Sequence, residues 1–210
     1  MSQNPRRIGV FGGSFDPPHK AHIALAQTAI NELELDSLHV IPTGQAWHKA
    51  RVLTAPAHRL AMTQLAFADL PRAVVDDREI KRAGPTFTID TLRALQAENP
   101  SAQLYLIIGS DQFAAFKQWH EWQAILKIAI ICVAARAYIH WPEGLFHTLK
   151  QPENRVLKLQ MPELAVSATQ IRQLVASGLS ENQTITSLIA DLLPPTVASY
   201  IAQLQLYTTV

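Results

Sequence analysis

Short apolar runs alternate along the chain with longer stretches whose apolar residues recur at helical spacing. Arg7 to Phe11 reads as a strand ending in Gly12-Gly13, and Ala21 to Leu33 as the helix that follows. Leu38 to Ile41 is a second strand, stopped by Pro42. A polar loop, Thr43 to Thr54, leads into a helix over Pro56 to Leu70, with Pro56 tolerated in the first turn. Ala73 to Val75 is a strand, and Thr88 to Glu98 a helix closed by Asn99-Pro100. Leu104 to Ile108 and Ile128 to Val133 are unbroken apolar runs, the pattern of strands covered on both faces. Val156 to Leu159 is one more strand. Ser167 to Ala176, Ser187 to Leu192 and Thr196 to Leu204 read as a closing helical segment. This alternation predicts an α/β fold, with a doubly wound parallel sheet, helices on both faces and right-handed crossovers. No linker separates the tail, so residues 1–210 read as one domain with a helical segment at roughly 165–210 packed on it.

In such sheets ligands sit beyond the carboxyl ends of the strands. That rule points to the chain after Phe11, after Ile41, after Ile108 and near the loop before Ser167. The first of these places carries Gly12-Gly13-Ser14-Phe15-Asp16-Pro17-Pro18-His19-Lys20-Ala21-His22. The glycines let a ligand approach the backbone, and the prolines aim the chain into a helix. His19 and His22, three apart, are expected on one solvent-facing side of that helix start, where free N–H groups and the dipole favour phosphate. A metal reading of the pair has little support, because no Cys, His or carboxylate cluster stands nearby and His120-Glu121 lacks the second His of a zinc helix. GxGxxG and GxxxxGK are both missing.

Composition narrows the classes. A formal net charge of +1 over 210 residues gives no broad field for nucleic acid or a membrane surface. No apolar run is long enough to cross a bilayer, and the N-terminus has no signal-peptide core, so a cytoplasmic protein is expected. The one cysteine, Cys132, lies in an apolar run and reads as a buried strand residue.

The stretch Gly12 to His22 resembles the signature of the HxGH nucleotidyltransferase superfamily, with Ala21 where Gly is common. Val166-Ser167-Ala168-Thr169-Gln170-Ile171-Arg172 resembles its second motif. Gly109-Ser110-Asp111 with Phe113, Trp119 and Trp122, and Gly84 to Leu92, are similar to segments of the nicotinate-nucleotide adenylyltransferases. The resemblance spans nearly the whole chain. It departs at Ala46-Trp47-His48-Lys49 and at Ala135-Arg136-Ala137-Tyr138, where local turns must differ.

The resemblance implies a Rossmann-like fold and transfer of AMP from ATP to nicotinate mononucleotide, releasing pyrophosphate. It implies catalytic roles for His19 and His22. For ATP it implies Gly12, Ser14, Phe15, Gly109, Asp111, Ser167, Thr169 and Arg172. For the mononucleotide it implies Lys49, Thr88, Trp119 and Arg136. Mg²⁺ is expected with ATP, held mainly by phosphate oxygens. Partners beyond the two substrates are not implied, and a homo-oligomer is left open. The bland alternatives are helix capping by Ser167, Thr169, Thr88 or Asp111, a shared core face for Trp119 and Trp122, and surface charge at Lys49 and Arg172. The rival functions are a sister enzyme acting on phosphopantetheine or nicotinamide mononucleotide, and a nucleotide sensor without catalysis.

Overall fold

The computed structural model describes residues 5–44, 52–135, 155–161, 164–177 and 184–208. The first half runs β1 (Arg7–Gly13), α1 (Lys20–Glu32), β2 (Ser37–Pro42), α2 (Pro56–Phe67), β3 (Ala73–Val75), α3 (Arg78–Lys81) and α4 (Thr88–Glu98). It continues through β4 (Gln103–Gly109), α5 (Ser110–Ala114), a 3₁₀ turn (Phe116–Gln118), α6 (Trp122–Ile128), β5 (Ala129–Ala135) and β6 (Val156–Gln160). The closing helices are α7 (Ala168–Ala176), α8 (Ile185–Ile189) and α9 (Pro195–Gln203).

The strands form one sheet in the order β3-β2-β1-β4-β5-β6, with every pairing parallel. This is the doubly wound α/β architecture expected from the alternation of elements. Side chains alternate across the strands, as their period of two requires. On β4, Leu104, Leu106 and Ile108 enter the core under α4 and α6, while Tyr105 and Ile107 enter the core under α1, α2 and the closing helices. Cys132 belongs to the latter core, and burial pushes its thiol up to about 12. Val197, Ala198 and Ile201 of α9 share that core with Met62 and Phe67 of α2, which is how the tail attaches.

Several boundaries moved from the sequence reading, for local reasons. The helix expected at 187–192 starts earlier, at Ile185, because the Thr184 side chain accepts the Ser187 amide at 3.1 Å and caps it. The helix expected to run to Leu70 stops at Phe67. Helices α3, α5 and α6 are too short to show a full apolar period, and the sequence reading did not delimit them.

The feature that makes room for a ligand is a divergence of strands. β1 pairs with β4 only from Arg7–Gln103 to Val10–Leu106, although β1 continues to Gly13 and β4 to Gly109. On its other side β1 stays paired with β2 as far as Gly13–Pro42. The sheet therefore splits between β1 and β4 at their carboxyl ends, where the strand order reverses direction.

Candidate active site

A cleft of about 590 Å³ opens at that split. Its floor is the end of β1 and β4, and one wall is Gly12, Gly13, Ser14, His19 and His22. Gly12 borders open space: a Cβ there would meet nothing within 4 Å, so a ligand can reach the main chain.

His19 and His22 come together by a route other than a shared helical face. His19 is the N-cap of α1, in extended conformation, and His22 is its third residue. The His19 amide donates to His22 Nδ1 at 3.1 Å, and the two rings stack with centroids 3.7 Å apart. Since Nδ1 accepts a hydrogen bond, neutral His22 carries its proton on Nε2 and offers it as a donor. The pair is also less exposed than the sequence suggested. His19 is only 4% exposed, and His22 is half-buried, because the rings line a concave wall. No acidic residue occupies the first turn of α1, although its first amide, that of Lys20, already donates to the Leu192 carbonyl at 3.0 Å.

Phe15 was expected among the ATP contacts. Its side chain is 1% exposed and packs edge-on against His22 (5.1 Å), Phe11 (5.4 Å) and Phe67 (5.9 Å). It supports the His22 ring from behind, and only its main chain is left for a ligand.

The far wall is aromatic and hydroxylic: Thr86, Phe87, Thr88, Trp119 and His120. Thr88 is the first residue of α4, whose N-cap is Phe87 with no side-chain cap bond, so Thr88 is not spent on capping. Trp119 is half-buried against Phe116 at 5.6 Å while also lining the cleft. Trp122 packs on the same Phe116 at 6.2 Å but lies outside the wall, so the two tryptophans divide the core and cleft roles. Phe87 and His120 pair at 4.4 Å. Glu79 also lines the cleft, 7% exposed; burial pushes its carboxyl above the usual range, against the Thr91 hydrogen bond at 2.8 Å, the Arg82 charge and a Thr86 hydrogen bond. Gly109 and Asp111 line the cleft at the end of β4; the Asp111 side chain folds back over Gly109, which is itself the α5 N-cap.

The second motif stands beside the first rather than in the cleft wall. Arg172 donates to the Asp16 carbonyl at 2.8 Å and to Thr169 Oγ1 at 3.1 Å. Ser167 caps α7, accepting the Gln170 amide at 3.2 Å. Lys49 and Arg136 fall outside the described residues. The sequence reading missed Phe87, His120, Glu79 and, beneath the first loop, Arg59. In the sequence, His120 bears only on the rejected zinc-helix pattern. Among the described residues no group of three or more His, Cys, Asp or Glu is arranged to hold a metal.

The sheet order, the split between β1 and β4 and the imidazole pair at a helix N-terminus together define a nucleotide-binding α/β enzyme. Residues 10–174 match the family model described as cytidylyltransferase-like. A protein of Albidiferax ferrireducens named "Probable nicotinate-nucleotide adenylyltransferase" is 52% identical over 204 residues, covering 97% of this chain and 99% of that one. Another of that name, from Methylibium petroleiphilum, is 40% identical and covers 99% of this chain and 95% of its own. The fold superposes on the Plasmodium falciparum nicotinic acid mononucleotide adenylyltransferase complexed with NaAD, with a TM-score of 0.79, 20% identity and 98% of each chain covered. The chain belongs to the cytidylyltransferase-like nucleotidyltransferases and, within them, to the nicotinate-nucleotide adenylyltransferase family.

Proposed function

We propose that this chain transfers AMP from ATP to nicotinate mononucleotide, giving nicotinate adenine dinucleotide and pyrophosphate, as one cytoplasmic domain of NAD biosynthesis. The observation that carries the reading is the cleft itself. One wall is made for phosphate, by stacked imidazoles at the start of α1. The other is made for a flat ring, by Trp119, Phe87 and the Thr88 hydroxyl.

The nucleophile is the mononucleotide phosphate, whose second pKa of about 6 leaves it largely dianionic at neutral pH. It needs no general base and no covalent enzyme intermediate. The work is to bring two anions together and to stabilise charge on the α-phosphate and the leaving pyrophosphate. His22 Nε2–H, His19 and the Phe15 amide would hold the α-phosphate. Gly12 leaves the main chain open to the triphosphate, Ser14 lines the same wall, and Gly109 and Asp111 take the adenosine. The Arg172–Asp16 bond keeps the second motif beside the first loop, and in this reading Ser167, Thr169 and Arg172 would hold the β- and γ-phosphates. Trp119 stacks on the pyridine ring. Its own amide is donated to Phe116 at 3.0 Å, so Thr88 and neighbouring amides meet the ring carboxylate. Lys49 and Arg136 complete the mononucleotide site in this reading. The donors around the histidine pair are imidazoles and amides, which suit phosphate oxygens and not a hard cation. Mg²⁺ would therefore enter with ATP on phosphate and water oxygens, and it would neutralise the leaving pyrophosphate.

Incubation with ATP and Mg²⁺ plus, separately, nicotinate mononucleotide, nicotinamide mononucleotide or phosphopantetheine tests the reading by pyrophosphate release. The nicotinate form should turn over fastest. Fastest turnover with phosphopantetheine or the amide, or ATP binding without turnover of any, would replace it with one of the rival functions.

A further inference from the structure

Arg59 sits on the inward face of α2, at helical spacing with Met62, Thr63, Ala66 and Phe67, and is 1% exposed. A guanidinium at that depth must place its donors on acceptors, because a buried charge without hydrogen bonds is strongly unfavourable. Its Nε donates to the Thr54 carbonyl at 2.9 Å, one Nη to the Ser14 carbonyl at 3.0 Å, and the other to the Gly44 carbonyl at 3.2 Å. These acceptors belong to separate pieces of chain: the loop after β1, the turn after β2 and the approach to α2.

Each piece is held a second time. The Thr54 amide donates to the Asp16 carboxylate at 3.2 Å, and that buried carboxylate also accepts the Tyr207 hydroxyl at 2.7 Å. Gly44 is pressed against α3, where a Cβ would collide with the Glu79 carbonyl oxygen. Thr43 and Ser14, next to or at two of the anchored carbonyls, line the cleft, whereas Arg59 does not.

Anchoring the Ser14 carbonyl has a consequence for the reacting phosphate. The Ser14 carbonyl and the Phe15 N–H belong to one planar trans peptide and point in opposite directions. With the carbonyl fixed on Arg59 behind the loop, the Phe15 amide points away from the guanidinium, and it donates to no group among the described residues. Phe15 takes a left-handed backbone (φ 45°), which for a bulky residue persists only where the surroundings hold it.

We propose that Arg59 is a positioning residue for adenylyl transfer. Its guanidinium sets the Ser14–Phe15 peptide against Gly44 and Thr54, so that the Phe15 amide and the His19–His22 pair meet one phosphate. Arg59 acts through the loop and does not touch substrate. The inference rests on the reading that this cleft takes ATP.

Arg59→Lys tests it. Lysine keeps the charge but is a compact donor on a flexible stem, and it cannot copy the planar fork that serves separated carbonyls. With the fold verified by near-ultraviolet circular dichroism and a cooperative melt, kcat should fall about tenfold or more and ATP should bind more weakly by calorimetry. A lower Tm with kcat and ATP affinity within about twofold of the parent would overturn the proposal and leave Arg59 a structural residue. Should Arg59→Lys not fold, Gly44→Ala decides: its Cβ pushes the Gly44 carbonyl off Arg59 from a loop outside the core, and kcat should fall, while an unchanged kcat overturns the proposal. If the parent transfers AMP to none of the mononucleotides, the functional reading fails, and the ATP-affinity comparison still decides the role of Arg59.

Discussion

The two ends of the cleft are built from different materials. At the proposed phosphate end the working groups are imidazoles, a helix terminus and a main-chain amide, held from behind by the buried Phe15, Asp16 and Arg59 and the half-buried Tyr207. At the proposed ring end the working groups are side chains, Trp119, Phe87, His120 and Thr88, carried on the start of α4 and just after the 3₁₀ turn. A main-chain phosphate site tolerates little change, since its geometry is shared among distant parts of the chain. A side-chain wall can be altered one residue at a time. In the proposed reading, the first end therefore sets the reaction and the second selects the acceptor.

The sharpest way to break this division is at the histidines. His22→Ala should lower kcat by about 10²–10³, the usual effect of losing one preorganised charge-stabilising donor. It should leave both Michaelis constants near those of the parent. His19→Ala should lower kcat similarly and also lower Tm, because His19 is buried whereas His22 is only half-buried. Steady-state kinetics within a few-fold of the parent for both variants would remove them from the chemistry.

The ring end should respond in binding. Stacking contributes about 0.5–1.5 kcal/mol beyond area burial, and truncating Trp119 also removes that area, so Trp119→Ala should raise the mononucleotide KM about tenfold and spare that of ATP. Thr88→Val removes one donor aimed at a carboxylate, which is about 1–2 kcal/mol, so the preference for acid over amide should fall by roughly 5–30-fold. Equal effects on both substrates would show that the wall is not selective.

A smaller effect, in stability alone, serves as the control. Burial would raise the Asp76 carboxyl, but hydrogen bonds from His39 and from the Arg78 amide and guanidinium, together with the Arg78 charge, outweigh it and hold the group at about 2 against an ordinary 3.8. The folded state therefore binds this proton less readily than the unfolded one. The resulting stability is complete above about pH 4 and is lost as pH falls toward 2, an amount of at most about 2 kcal/mol for a partly solvated group. Asp76→Asn should flatten that acid limb in urea titrations without changing kcat.

Much of the fold was legible because strands such as Leu104–Ile108 are unbroken apolar runs, a local property of the sequence. The phosphate end was legible through its glycines, prolines and histidines. The link between His19 and His22 was not, since it depends on a capping geometry and not on helical spacing. Arg59 left a readable sign: it is a charge at helical spacing with Met62, Thr63 and Phe67, inside an apolar stripe. The Tyr207–Asp16 bond left none, because it joins opposite ends of the chain. Phe87 and His120 likewise become neighbours only when the start of α4 and the turn before α6 pack side by side on one wall of the cleft.

The most direct test of the division is a crystal structure with the product dinucleotide bound. The pyridine ring should lie on the Trp119 face with its carboxylate beside Thr88, and the adenylyl phosphate should sit between His22 Nε2 and the Phe15 amide. A dinucleotide bound the other way round, or a pyridine ring out of contact with Trp119, would contradict the account.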